Sequence, residues 1–335
     1  MERFAPKPPV IPITPGGELK KPSDLTDRLT STHDLFVIAH LCIPQVNAAD
    51  WRLEITGLVD EPISLAFDEL QRLPKHTLES VLKCSGSPRQ PSIPTRQVAN
   101  VEWGGVELST LLDRLGVHPA ATHVWAYGLD YGSFIDVEQV HYLKDIPRSR
   151  VDEGDVLIAY ELNGEPLSAK NGAPARLIVP GYYGTNCVKW LCRLEFQDRR
   201  ADSLFTNLLY NDRDLDRDPS GHTTKPVWMV EPESLIVSPT ADATLTDSPC
   251  EIWGWAWSNC AVQSVEVSTD GGHVWREAVL EPYRQYVWQK FRFEWSPSGH
   301  GPFELCARAT DITGKSQPMD GARNAVHSVT VTVAS

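Results

Sequence analysis

The sequence predicts an α+β region followed by an all-β region, and three observations carry that prediction. Between residues 32 and 210, short amphipathic stretches with helix-stop residues alternate with stretches of strand period. Residues 211–225, NDRDLDRDPSGHTTK, are polar and have no apolar stripe. Beyond them, every periodic stretch has the period of a strand. We therefore expect an extended arm over 1–31, a mixed α+β domain over 32–210, a linker over 211–225 and an immunoglobulin-like sandwich over 226–335.

The arm is rich in proline, glycine and charge. In WRLEITGLV (51–59), Trp51, Leu53 and Ile55 alternate as in a half-buried strand. SLAFDELQRLP (64–74) predicts a short helix capped by Ser64 and stopped at Pro74. LSTLLDRLGV (108–117) predicts a second, with Ser109 as cap and Gly116 as stop. ARLIVPG (175–181) and VKWLCRLEFQ (188–197) are expected strands. In the last region EIWGWAWS (251–258) puts Trp253, Trp255 and Trp257 on one face, which we take as core. VEVSTDGGHVWREAVL (265–280) predicts two strands joined at Thr269–Gly272, where the glycines accept positive φ. FELCARATD (303–311) and SVTVTVA (328–334) alternate again.

The 335 residues are long for one core. A net charge of -13 argues against nucleic acid or an anionic membrane surface as partner, so an anionic substrate needs local cations. No apolar run approaches the roughly 20 residues of a membrane helix, and the N-terminus shows no export signal, so the expected location is cytoplasmic, or periplasmic if a leader has been removed. Seven cysteines form no CxxC pair, and no CxxCH haem motif occurs. Six of them are expected to be buried free thiols.

The seventh, Cys84 in VLKCSGSPR (81–89), sits in a small-residue turn with Arg89 five residues on, as suits a reactive or metal-bound thiolate. Asn171, Arg176 and Lys189 surround two glycine-rich turns, a pattern able to hold an anionic ligand. Neither GxGxxG nor GxxxxGK[ST] occurs, which weakens nucleotide readings. A soft thiolate beside a phosphate-binding patch suits a thiol-ligated metal carried on a phosphorylated organic cofactor.

From FVIAH (36–40) through LKCSG (82–86), YGLD (127–130), AYELNGEPL (159–167), NGAPARLIVPG (171–181) and CVKWL (187–191), the chain resembles the sulfite oxidase family of molybdenum–molybdopterin enzymes. WGWAWS, VEVSTDGGHVW and RATDITGKSQP (308–318) resemble that family's C-terminal dimerisation domain. The resemblance implies that Cys84 ligates molybdenum, and that His40, Asp130, Asn171, Arg176, Cys187, Val188 and Lys189 hold the pterin and its phosphate. It implies that Tyr210 and Arg89 face the reacting oxygen and the substrate anion, and that the chain forms a homodimer.

The chain departs from the family at several positions. Ile38 stands where sulfite oxidases place an arginine, Leu209 replaces an aspartate, Asn171 a histidine, and Gln289–Lys290 lies where an arginine commonly completes the anion pocket. The cysteine loop has Ser87-Pro88-Arg89 in place of an asparagine and two arginines. Each missing charge-assisted hydrogen bond weakens anion capture by about 1.5–3 kcal/mol. The expected function is two-electron oxidation of sulfite or a related small oxyanion or sulfur compound, with electrons passed to a separate acceptor such as a cytochrome c. The alternatives are nitrate-reductase-like reduction on the same cofactor and a cofactor-free interaction module.

Overall fold

The computed structural model describes residues 8–11, 19–88, 93, 95–214, 217–218 and 220–334. Arg89, much of the expected arm and part of the expected linker lie outside these residues. Two compact units are formed: one from residues 1–17, 37–78 and 102–228, the other from 18–36, 79–101 and 229–335.

The first unit is built on a five-stranded sheet in the order Leu143–Pro147, His123–Gly128, Leu191–Gln197, Arg52–Gly57, Ile63–Ala66. Arg52–Gly57 runs parallel to Leu191–Gln197, and the other neighbours are antiparallel. Trp51, Leu53 and Ile55 are buried, as their alternation predicts. A second set of strands centres on Leu157–Leu162. It pairs antiparallel with residues 103–107, with Glu165–Pro166 and with Arg176–Ile178. At Gly105 an added Cβ would stand 2.2 Å from the Ile158 carbonyl oxygen, so the close crossing of these strands requires glycine.

The expected mixture of helix and strand is met in part: among the described residues the chain is mostly β-sheet with few helices. Among the described residues the α-helices are Phe67–Gln71, Ser109–Leu115 and Arg148–Asp152. Segments this short do not sustain helix by themselves and rely on packing. Ser64 is not a cap but lies within Ile63–Ala66, whose residues pair with Arg52–Gly57. The helix starts after this strand, and the Ala66 N–H donates to Glu69 at 2.8 Å. Ser109 is the first helical residue, its Oγ donating to the Gly154 carbonyl at 3.0 Å, and Gly116 ends the helix at φ +58°. The two expected strands after 175 are shorter, at Arg176–Ile178 and Leu191–Gln197.

In the second unit, one sheet has the order Glu233–Ser238, Cys250–Trp257, Gln289–Trp295, Val279–Leu280. The other runs Thr244–Leu245, Ser328–Val333, Gly301–Asp311, Val262–Ser268, Arg276–Glu277. Ile252, Ala256 and Phe291 from the first sheet share one buried core with Val265, Leu305 and Val331 from the second. The expected hairpin forms, with Val267 opposite Arg276 and Gly271 and Gly272 at φ +70° and +92°.

The tryptophan row is not part of this inter-sheet core. Residues alternate across a strand, so Ile252 and Ala256 take the core face and Trp253, Trp255 and Trp257 take the other. There Trp255 stacks on Trp288 at 4.7 Å, and the two indole N–H groups donate to the Leu25 and Arg28 carbonyls. The backbone of 25–28 thus meets Trp255 of the row and Trp288 stacked on it. The cysteines are all free, but only Cys187 and Cys306 are buried, which corrects the expectation of six buried thiols. No helix among the described residues is long and apolar enough to cross a membrane.

Candidate cofactor and active site

The first unit brings Asp130, Asn171, Arg176 and Cys187–Lys189 together through backbone pairing. Ser168 opens a short turn in which its Oγ accepts the Asn171 N–H at 3.3 Å, and Gly172 follows at φ +103°. The Arg176–Ile178 strand is set by pairing with residues 157–159. Segment 187–190 is laid against it: Leu177 N donates to Val188 O at 2.8 Å, and Trp190, itself at φ +50°, donates to Gly172 O at 3.3 Å. Leu129 N donates to Trp190 O at 2.9 Å, and Asp130 follows at the end of the His123–Gly128 strand.

The guanidinium of Arg176 is buried without a carboxylate partner among the described residues. It donates to Asn171 O at 3.0 Å and Cys187 O at 3.2 Å, and lies 4.8 Å from the Trp103 ring centre. Its Nε is buried with no hydrogen-bond partner among the described residues, as is Oδ1 of Asp130. Burial lowers the Arg176 pKa to about 10. Lys189 donates to Ile38 O at 2.8 Å. Burial and the Arg176 charge hold its pKa down, while Asp130 opposes them; burial pushes the Asp130 carboxyl up. Cys187 keeps its proton because burial raises its pKa, so it suits packing and backbone contact better than metal ligation. Glycine is required at 128, where a Cβ would meet Asp130 Oδ1 at 2.3 Å and Lys189 O at 2.8 Å.

His40 and Tyr210 also meet: the imidazole Nε2 and the phenol hydroxyl are hydrogen-bonded. His40 lies 4.6 Å from the Phe134 ring and 5.7 Å from Phe205. Burial, aided by the Lys189 charge, lowers its pKa and favours the neutral ring. Tyr210 follows the turn Leu204–Leu208 and sits at φ +59°, a left-handed conformation that non-glycine residues seldom adopt. Asn211 ties that turn by donating to Thr206 O at 2.8 Å and Leu209 O at 3.0 Å. Lys144, missed by sequence reasoning, is fully buried with its Nζ 5.2 Å from the Tyr210 ring centre. The stretch LKDIP sets two charged residues, Lys144 and Asp145, among three apolar ones, and that was the one signal that could have found it.

Cys84 lies in the second unit and is half-buried. Its N–H donates to Gln97 O at 3.0 Å, and its Sγ accepts the Gly86 N–H at 3.4 Å. The loop is fastened within that unit. Lys83 pairs with Glu233 at 3.2 Å and donates to Ser87 O, while Arg323 donates to Ser85 O at 2.9 Å. Gln289 is a buried structural residue that accepts from Val262 N at 3.1 Å and donates to Glu281 O at 2.9 Å. Lys290 is spent over the Trp253 ring at 3.8 Å. Arg89 lies outside the described residues.

The donor set fits a large anionic organic cofactor. Among the described residues seven buried side-chain atoms have no hydrogen-bond partner, and the two that belong to charged groups, one acceptor on Asp130 and one donor on Arg176, lie in a patch with two cations. Residues 40–205 match the oxidoreductase molybdopterin binding domain, and residues 224–332 match the Mo-co oxidoreductase dimerisation domain. The chain is 30% identical over 324 residues to mitochondrial sulfite oxidase of Rattus norvegicus, covering 89% of this chain and 59% of that protein. It is 29% identical over 336 residues to the NADH nitrate reductase of Solanum lycopersicum, covering 84% and 35%. The chain thus spans less than two thirds of the length of either relative. Among solved structures it is similar to the sulfane dehydrogenase SoxCD from Paracoccus pantotrophus, with a TM-score of 0.79 and 26% identity, covering 95% of this chain and 86% of that one.

Proposed function

The chain belongs to the sulfite oxidase family of molybdopterin oxidoreductases, and on that premise we propose that it oxidises sulfite or a related small sulfur compound or oxyanion by two electrons. The observation that carries the cofactor part of this reading is the pair of orphaned buried atoms on Asp130 and Arg176. Asp130, Asn171, Arg176 and the Cys187–Lys189 backbone would hold the pterin and its phosphate, with His40 beside them. Cys84 would supply the thiolate to the metal. When bound, such a group supplies oxygen-atom transfer and storage of two electrons.

The protein's own part is positioning and proton handling. Lys189 and Arg176 present charge to the anion. His40, held neutral by burial, accepts the phenolic proton of Tyr210 or returns it. Phe134 and Phe205 limit water around this pair. Electrons pass to a separate acceptor, for which a cytochrome c is the natural class. The all-β region is read as an immunoglobulin-like sandwich that joins two copies of the chain.

A second substrate reading, sulfane sulfur, is favoured by the aromatic surroundings of His40 and by the likeness to a sulfane dehydrogenase. An apolar wall suits a polarisable, weakly solvated sulfur chain better than a hydrated dianion. The test is expression of the full chain in a host that makes molybdenum cofactor. Molybdenum and pterin are assayed per chain, and turnover is measured on sulfite, polysulfide and nitrate with a dye acceptor. Stoichiometric molybdenum that disappears in Cys84→Ser supports the reading, because a hydroxyl is a poor ligand where soft sulfur is needed. A folded protein without molybdenum or pterin overturns it, and turnover of nitrate alone replaces the oxidative reading with a reductive one.

A further inference from the structure

Lys144 lies on the strand Leu143–Pro147 and is 1% exposed. The adjacent carboxylate, Asp145, is already engaged. Its oxygens accept from Arg200 at 2.7 and 3.0 Å and from Ala201 N at 3.0 Å. What Lys144 touches is the site: its Nζ donates to Phe205 O at 2.8 Å, inside the turn Leu204–Leu208, and lies 5.2 Å from the Tyr210 ring centre. Burying an ammonium is costly, and a methionine would fill a similar space without that cost.

We propose that Lys144 is a positioning residue for Tyr210, pinning the preceding turn through Phe205 and setting a positive charge against the phenol ring. This deepens the active-site reading of Tyr210 given above and rests on it. The step served is a proton exchange that balances within the pair. The Tyr210 O–H bond breaks, the proton moves to His40 Nε2, and phenolate and imidazolium form; the return restores both neutral groups. A cation within about 6 Å of an aromatic ring stabilises the anionic form of that ring more than the neutral one.

The groups that act on this pair come from several elements. His40 is hydrogen-bonded to Tyr210 and feels the Lys189 charge. Tyr142 is coupled electrostatically to Tyr210 and to Asp130, and its hydroxyl bonds Thr185. Behind Lys144 stand Asp145 and Arg200. Burial lowers the Lys144 pKa to about 8, with Asp145 opposing and Arg200 adding to the shift, so the charge is present at neutral pH and lost as pH rises through that value.

The test reads the phenol directly, by ultraviolet titration of the full chain without cofactor. Tyr210 is isolated from the other eight tyrosines as the difference from Tyr210→Phe. Lys144 is neutral by the ordinary phenol range, about 10, so the charge is tested with a cation that persists. With Lys144→Arg, Tyr210 should ionise about one pH unit or more lower than in the parent. In the parent, the absorbance of the neutral Tyr210 ring should also shift as the Lys144 charge is lost near pH 8. Lys144→Gln, which can keep the bond to Phe205 O, should lack that shift, and it keeps the test open if the arginine variant does not fold. An unchanged Tyr210 titration in Lys144→Arg, or the same shift in Lys144→Gln as in the parent, overturns the proposal. Full turnover in Tyr210→Phe would instead overturn the active-site reading beneath it, and the absorbance experiment tells the two failures apart.

Discussion

Replacing Glu233 by leucine isolates the ion pair that fastens the Cys84 loop. Lys83 and Glu233 are 2% and 5% exposed and meet at 3.2 Å. Burial raises the Glu233 pKa even against the charges of Lys83 and Arg96, so desolvation is the larger effect on the carboxylate. The pair as a whole therefore adds little net stability, but removing one member leaves a buried charge uncompensated. That loss is about 3–5 kcal/mol. At roughly 2–4 °C per kcal/mol for a unit of this size, Glu233→Leu should lower Tm by about 6–20 °C. Lys83→Met combined with Glu233→Leu should recover most of that, short of about 1 kcal/mol for the missing bond to Ser87 O. The assay is a set of thermal melts on the full chain without cofactor, as a double-mutant cycle. A single variant within about 2 °C of the parent in Tm, or a double variant as unstable as the sum of the singles, would refute the reasoning.

Burial, reinforced by the Arg96 charge, pushes the His327 pKa down to about 4 from the ordinary 6.5. Because the folded value lies below the unfolded one, its contribution to stability is complete above about pH 6.5 and is lost as pH falls towards 4. His327→Gln should flatten the fall of Tm across that window relative to the parent, and parallel curves would dismiss the linkage. Gly128→Ala drives a Cβ into Asp130 Oδ1 and the Lys189 carbonyl. It should strip pterin from the purified protein while the sheets persist by circular dichroism, and full pterin content would show the crowding to be harmless.

Several elements were legible because their signals are local. The helix ending at Gly116 and the hairpin at Gly271–Gly272 are written in residues that alone accept positive φ cheaply. The helix at 64–74 was misplaced because Ile63–Ala66 answers to a distant strand, Arg52–Gly57, which no local pattern announces. The face of the tryptophan row was equally hidden. Alternation puts Trp253, Trp255 and Trp257 on one side, but what meets Trp255 there depends on residues 25–28 arriving from over 220 positions away.

The candidate site divides the same way. Asn171, Arg176 and Cys187–Lys189 stand in recognisable segments whose order carried the family resemblance, and pairing of 172–177 with 187–191 brings them together. Lys144, Phe134 and Phe205 stand in no motif and reach His40 and Tyr210 only through the sheet and its connecting turns. Sequence by itself determined the family, on which the proposed thiolate and cofactor-binding residues rest, because a family is carried by chemical identity and spacing along the chain. Tertiary structure alone decided which charges are buried without a counter-ion, which polar atoms are left unpartnered and which cation stands against the tyrosine. Burial and electrostatic coupling depend on distances between residues far apart in sequence, and those exist only once the chain has folded.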